Sequence, residues 1–247
     1  VNVTGIIVAG GRSSRMGQDK ALLEIQGATM LERTVAALEQ VTERVIVVTR
    51  DSQGYGPIGL ENVPDVYPGM GPLSGIHAGL FASRTEWGIV IACDMPFVQP
   101  EVLHVLLAVT EKWAELQGTT EPALQAVISS VDGRIHPLLA VYHRSVLPSA
   151  EECLRSGRLR LTDWLEKLNV RYATVEDLSG VSEDIWHKAV FNMNNPQDYQ
   201  LAIEQLKHSV QQNTQAMQTM QTMQTMQTMQ AVRDAKSVKN LKKIRED

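Results

Sequence analysis

The chain has 247 residues, room for one α/β domain with an appendage, and at 43% hydrophobic residues it can bury a sizeable core. A net charge of −5 argues against a general nucleic-acid binder, which usually carries a basic surplus. No apolar run approaches the roughly 20 residues that span a bilayer, no signal-peptide pattern is visible, and the two cysteines, Cys93 and Cys153, lack metal-ligand spacing. The sequence therefore predicts a cytoplasmic protein with no membrane or nucleic-acid partner and two buried thiols.

The first apolar run, Ile6 to Ala9, reads as a buried strand that ends abruptly in Gly10-Gly11. A polar loop with Arg12, Ser13, Ser14, Arg15, Gly17 and Lys20 follows, then a short strand-like piece over 21–25. Thr29 is a candidate N-cap for a helix over 30–40, where Met30, Leu31, Val35 and Leu38 recur near helical spacing. Arg44 to Thr49 is a β-branched run suited to a strand covered on both faces. Residues 51–64 read as irregular loop, and Asp65 to Gly75 as loop opening into a helix that ends near Ser83. Trp87 to Cys93 is a second buried strand, stopped by Asp94-Met95-Pro96, and a helix follows from about Gln99 to Leu116. This strand–helix alternation predicts a mostly parallel sheet with helices on both faces.

The second half is less regular. Strands are expected over 123–131 and 137–142, joined by a turn at Asp132-Gly133, with helices over 146–155 and 161–168 and a strand over 170–175. An acidic surface stretch over 176–184 precedes F-N-M-N-N-P-Q-D-Y and a last amphipathic helix over 196–212. From Met217 the chain turns to M-Q-T repeats and then a mixed, basic end. A repeat of three does not match the helical 3.6, so its methionines cannot form one packing stripe. The division expected is a domain over 1–212 and a low-complexity tail over 213–247, flexible or partly helical.

Two strand ends carry chemistry. Paired glycines let backbone N–H groups surround a ligand, and the cations beside them suit phosphates. Neither standard phosphate loop matches: Gly11 and Gly17 are too far apart for G-x-G-x-x-G, and Ala21 follows Lys20 where a P-loop needs Ser or Thr. Asp94, at the second strand end, is placed either to hold Mg²⁺ together with phosphate oxygens or to form a turn before Pro96. Asp65, just before P-G-M-G-P, is either a ligand-facing carboxylate or an ordinary turn residue. Asn192, Asn194 and Asn195 offer donors and acceptors for a heterocycle, although capping explains one of them. Arg158 and Arg160, flanking a turn, suit solvent as well as an anion.

Together, V-A-G-G-R-S-S-R-M-G-Q-D-K, D-V-Y-P-G-M-G-P-L-S-G, C-D-M-P-F-V, H-P-L-L-A-V-Y and F-N-M-N-N-P-Q-D-Y closely resemble the molybdenum cofactor guanylyltransferase family, in order, over residues 4–206. The resemblance implies a three-layer Rossmann-like nucleotidyltransferase fold and transfer of GMP from GTP to the molybdenum cofactor, with Mg²⁺ as cofactor. It implies nucleotide contacts at Val8, Ala9 and Gly10, with Gly11 in the same loop, a phosphate-binding Lys20 helped by Arg15, a GTP-contacting Asp65, a Mg²⁺ ligand at Asp94, and pterin-side Asn192 and Asn194. Implied partners are GTP, molybdopterin or its molybdenum form, molybdopterin-biosynthesis proteins and acceptor molybdoenzymes. A sister cytidylyltransferase is similar, usually with alanine where this chain has Gly10, so A-G-G favours guanine. A non-catalytic GTP-binding adaptor is the alternative from a different class, and a sugar-1-phosphate nucleotidyltransferase is a more distant one.

Overall fold

The computed structural model describes residues 1–9, 19–49, 55, 59–116, 123–208, 215, 218, 220–224 and 226. Gly10, Gly11 and Arg15, most of the 51–58 stretch and most of the C-terminal tail lie outside the described residues. The chain divides into two compact units, Val1–Tyr199 and Gln200–Asp247.

The first unit runs β1 (Val3–Val8), β2 (Glu24–Ile25), β3 (Ala28–Thr29), α1 (Met30–Leu38), β4 (Val45–Thr49), β5 (Glu61–Pro64), α2 (Pro72–Ala82) and β6 (Trp87–Ala92). It continues through α3 (Pro100–Leu116), β7 (Ala126–Val131), β8 (Arg134–His143), α4 (Leu147–Arg155), α5 (Leu161–Leu165), β9 (Val170–Ala173) and α6 (Glu183–Ala189). Seven strands form one sheet in the order β5-β4-β1-β6-β8-β7-β9. It is mostly parallel, as the sequence predicts; only β8 runs against its neighbours β6 and β7. The β7–β8 hairpin turns at Asp132 and Gly133, both with positive φ (50° and 73°), the backbone that Asp-Gly adopts readily in tight hairpins.

Alternation along the strands sorts the core into two layers. Ile7, Val47, Ile89 and Ile91 pack towards Leu31 of α1, Leu106 of α3 and Trp186 of α6. On the other face, Ile6, Val8, Val48 and Val90 meet Ile76 of α2, Leu154 of α4 and Trp164 of α5. The result is a three-layer α/β/α domain. Every residue of β1 is buried, the signature of a strand covered on both sides. Cys93 and Cys153 are both buried free thiols, as expected.

Several local expectations shift. Lys20–Leu22 is a 3₁₀ turn, and only Glu24–Ile25 of the 21–25 piece is strand, paired antiparallel with β3. The stretch read as loop over 51–64 ends in β5, an edge strand in which only Val63 is buried, so it lacks the apolar run that marks a central strand. The acidic surface stretch runs into α6, capped by Ser182 and anchored by the fully buried Trp186. The Thr29 cap is a full capping box: Glu32 N–H donates to Thr29 Oγ1 (3.2 Å) and Thr29 N–H to Glu32 Oε2 (2.7 Å).

In the second unit, residues 200–208 are helical, as are the described positions of the M-Q-T repeat. Met220, Met223 and Met226 are 63, 61 and 66% exposed, so no packed face is built from them within that unit.

Helix α2 lies flush on β1 because it presents glycine there. A Cβ at Gly75 would come within 2.6 Å of Val8 Cγ1, and one at Gly79 would overlap Ile6 Cγ2. Overpacking of this kind costs about 1–3 kcal/mol, against about 1 kcal/mol that alanine gains over glycine in a helix. Ile6 is β-branched and fully buried, so it has no room to yield. Gly79→Ala is therefore expected to lower the thermal unfolding midpoint by several degrees. An equal or higher midpoint by calorimetry would contradict the flush packing.

Candidate active site

Parallel pairing brings the carboxyl ends of β5, β4, β1 and β6 to one edge of the sheet, where open α/β sheets bind ligands. Val8 pairs with Ala92, and Cys93 N–H donates to Val8 O (3.3 Å), so the chain after β1 and the chain after β6 leave the sheet side by side. Ala9 N–H donates to Val48 O (3.0 Å), and Asp65 N–H donates to Thr49 O (3.0 Å), extending the same edge across β4.

Lys20 and Asp94 meet there. Lys20 Nζ donates to Asp94 Oδ2 at 3.0 Å and lies 3.5 Å from Asn194 Oδ1, joining residues from three distant parts of the chain. The Lys20 turn is fixed from below: Asp19 Oδ1 accepts from Ala21 N–H (3.0 Å), and Tyr55 donates its hydroxyl to Asp19 Oδ2 (2.8 Å). Burial and the Asp19 carboxylate push the Tyr55 hydroxyl far above its ordinary range, so it stays a donor. Burial, with Asp94 beside it, likewise pushes the Cys93 thiol up, so a protonated sulfur lies next to the carboxylate.

The Asn segment is held against Asp94 by its backbone. Met193, fully buried, donates its N–H to Asp94 O (3.0 Å), and Phe191 packs on Phe97 with ring centroids 5.4 Å apart. Asn195 is the capping residue: its Oδ1 accepts from Asp198 N–H (2.9 Å), while Asp198 Oδ2 accepts from Asn194 and Asn195 N–H. Asn194 turns its side-chain oxygen to Lys20, whereas Asn192 donates to Val190 O (3.2 Å). Capping thus accounts for one asparagine and leaves Asn194 facing the ion pair.

Asp65 is engaged by its own loop. Its Oδ1 accepts from Tyr67 N–H (2.9 Å), and Ser74 Oγ lies 2.8 Å from Oδ2 and 2.7 Å from Gly71 O. Among the described residues none of its hydrogen bonds reaches Lys20, Asp94 or Asn194. Val8 and Ala9 stand at the end of β1; Gly10, Gly11 and Arg15, next in the chain, are outside the described residues. Asp19, Tyr55, Met193 and Ser74 escape a sequence reading. Of these, only Asp19 leaves a signal, as the acidic neighbour of Lys20.

No group of three or more His, Cys, Asp or Glu side chains able to hold a metal occurs among the described residues. Asp94 is a single carboxylate with Oδ1 free of protein partners among those residues. That donor set fits Mg²⁺, which binds through one or two carboxylates and completes its shell with substrate phosphates and water.

A mostly parallel seven-stranded sheet with a lysine–carboxylate pair at the carboxyl ends of its strands suits a nucleoside triphosphate, and the family and relatives that the chain matches make it a nucleotidyltransferase. Residues 5–172 match the family described as MobA-like NTP transferase domain, and the chain belongs to that family. A probable molybdenum cofactor guanylyltransferase of Pelotomaculum thermopropionicum is 35% identical over 198 residues, 80% of this chain and 90% of that protein. One from Peptoclostridium acidaminophilum is 34% identical over 79% of this chain and 86% of its own length. Among solved structures, molybdopterin-guanine dinucleotide biosynthesis protein A of Archaeoglobus fulgidus matches with a TM-score of 0.70 and 28% identity, covering 83% of this chain and all of that one.

One titration bears on the Asp65 loop. His77 of α2 lies edge-on to Tyr67 (5.5 Å) and stacks on Phe81 (6.2 Å), and its buried Nδ1 has no partner among the described residues. Burial holds the imidazole below its usual 6.5, against the opposing pull of Glu151 and Asp65. A lowered folded pKa means that the unfolded chain takes up the proton first, so stability is full above 6.5 and falls as pH drops through it towards the folded value. Unfolding midpoints measured across this window are expected to fall with pH, and less steeply in His77→Leu. Identical slopes would contradict the assignment.

Proposed function

We propose that this chain transfers GMP from GTP to the molybdenum cofactor, forming molybdopterin guanine dinucleotide cofactor and pyrophosphate. The observation that carries the reading is the meeting of Lys20, Asp94 and Asn194 at the sheet edge of a family member whose relatives bear that activity in their names.

An oxygen of the pterin's terminal phosphate attacks the α-phosphorus of GTP in line. The new P–O bond forms as the bond from the α-phosphorus to the bridging oxygen breaks, and pyrophosphate leaves with that electron pair. The nucleophile is already anionic and needs no strong base. This agrees with the protonated states of Tyr55 and Cys93, which leave neither able to act as one. The work of the site is positioning and charge neutralisation. Lys20, on a flexible four-carbon stem, neutralises Asp94 before substrate arrives and can turn its ammonium to the triphosphate. Arg15 and the backbone at Val8, Ala9, Gly10 and Gly11 would hold the remaining phosphate charge and the nucleotide. Asp65 keeps lone pairs beyond those given to Tyr67 and Ser74, enough to accept from a ribose hydroxyl or a base N–H. Asn192 and Asn194 would face the pterin side. Mg²⁺ bound through Asp94 would supply charge stabilisation at the departing pyrophosphate.

The transferase is assigned to 1–212 and the M-Q-T tail at 213–247 is set outside it, supported by a family match that ends at residue 172 and relatives aligned over about 80% of the chain. The location proposed is the cytoplasm; among the described residues no helix is long and apolar enough to cross a membrane. Molybdopterin-biosynthesis proteins and acceptor molybdoenzymes would be its macromolecular partners.

Pyrophosphate release from GTP and Mg²⁺, with and without molybdenum-loaded molybdopterin, tests the reading. Release should depend on the pterin and exceed that from CTP; pterin-independent release, or preference for CTP, would contradict it. Asp94→Ala should lower the rate by about 100-fold or more, the scale of losing one transition-state charge stabiliser. Retention of most of the wild-type rate at saturating Mg²⁺ would remove Asp94 from the metal site.

A further inference from the structure

Between α1 and the segment that carries the chain from Asp94 into α3 lies a cavity of about 540 Å³, inside the range of roughly 300–1,000 Å³ typical of small-molecule pockets. Ala36 and Ala37 of α1 and Met95 and Pro96 of the connecting segment give it apolar walls, and Glu32, Arg33, Thr34 and Gln99 are the polar residues on its lining. The topology places it beside Asp94. Strands β1 and β4 are parallel neighbours, so α1 between them runs back from the carboxyl edge, and its first turns, with Arg33, lie at that edge.

Among the described residues Arg33 forms no ion pair, and its buried Nε–H has no hydrogen-bond partner, which is uncommon for a buried donor. Its neighbour Glu32 is already committed to the Thr29 capping box. Burial lowers the guanidinium pKa without abolishing its charge. A half-buried guanidinium with no ion pair among the described residues, on a lining that is apolar apart from Glu32, Thr34 and Gln99, suits a flat ligand that offers a hydrogen-bond acceptor at one end.

We propose that this cavity receives the pterin ring of the acceptor substrate, with Arg33 donating to the carbonyl oxygen of its pyrimidinone ring; this rests on the reading of the chain as a transferase to a pterin. The location separates the two substrates. The Asp65 loop leads into α2 on one face of the sheet, whereas the cavity lies on the opposite, α1 and α3 face, with Asp94 at the edge between them. The Asn192–Asn195 segment joins the cavity side, since Met193 bonds to Asp94 and Phe191 packs on Phe97, inside the segment that walls the cavity. A pterin seated there directs its phosphate arm towards Asp94.

The test uses the full chain and a fluorescent probe, 6-hydroxymethylpterin phosphate, titrated against the wild type, Arg33→Met and Ala36→Trp, with Mg²⁺-dependent GTP binding measured in parallel. Ala36 is exposed, so tryptophan there fills the cavity from its mouth without entering the core. Each variant should weaken probe binding by about tenfold or more, as expected when a pocket contact is lost, while GTP affinity stays within about twofold, as expected of separate sites. Unchanged probe binding in both variants overturns the cavity assignment and leaves the transferase reading intact. Loss of GTP binding in place of probe binding gives the cavity to the guanine base and also overturns it. A wild-type chain that binds GTP but not the probe contradicts the pterin acceptor itself, and the cavity assignment falls with it.

Discussion

The site depends on one constraint: β1 and β6 run parallel and in register, so that Val8 and Ala92 end side by side. Because of it, a loop that starts at residue 9 and a carboxylate at residue 94 leave the sheet at neighbouring points, and the turn at Lys20 can reach Asp94. Close packing specifies the register, since Gly79 of α2 and Gly88 of β6 lie tight against Ile6, and Gly75 of α2 against Val8. Packing deep in the core therefore fixes the spacing of charged groups at the edge.

The electrostatics of the edge favour exchange. The side chains of Lys20 and Asp94 are 18 and 20% exposed, between the surface and the interior. Exposed ion pairs contribute about 0–1 kcal/mol and part easily, whereas a fully buried pair loses several kcal/mol when one partner leaves. A partly exposed pair can hold both groups in place and still release them to a triphosphate and a divalent ion, as the proposed reaction requires. The rest of the edge is arranged to stay neutral or donating: the Tyr55 hydroxyl supports Asp19, the Cys93 thiol keeps its proton, and Met193 supplies backbone only.

Much of this was legible in the sequence where apolar runs are continuous. The strands around Ile6–Val8, Val45–Thr49 and Trp87–Ala92 read directly, because central parallel strands are apolar on both faces. The edge strand Glu61–Pro64 did not, since one buried valine leaves no periodic signal. The helix at Glu183–Ala189 was hidden by its acidic first turn, although Ser182 followed by Glu183 and Asp184 is a cap signature. At the site, Lys20 and Asp94 could be placed at strand ends, but their contact is tertiary and spans 74 residues of sequence. The three asparagines look equivalent in sequence; only the hydrogen bonds separate Asn195, which caps, from Asn194, which faces Lys20. Tyr55 stands alone in a Gly/Pro-rich stretch, and nothing near it in the sequence announces its bond to Asp19.

The central claim is that the Lys20 turn and the Asp94 strand end act as one unit on the triphosphate. A double-mutant cycle on pterin-dependent pyrophosphate release, using Lys20→Met, Asp94→Asn and the pair, measures that coupling directly. The account predicts strong non-additivity, with the double variant losing little more activity than the worse single variant. Losses that simply multiply would show two independent groups and contradict it.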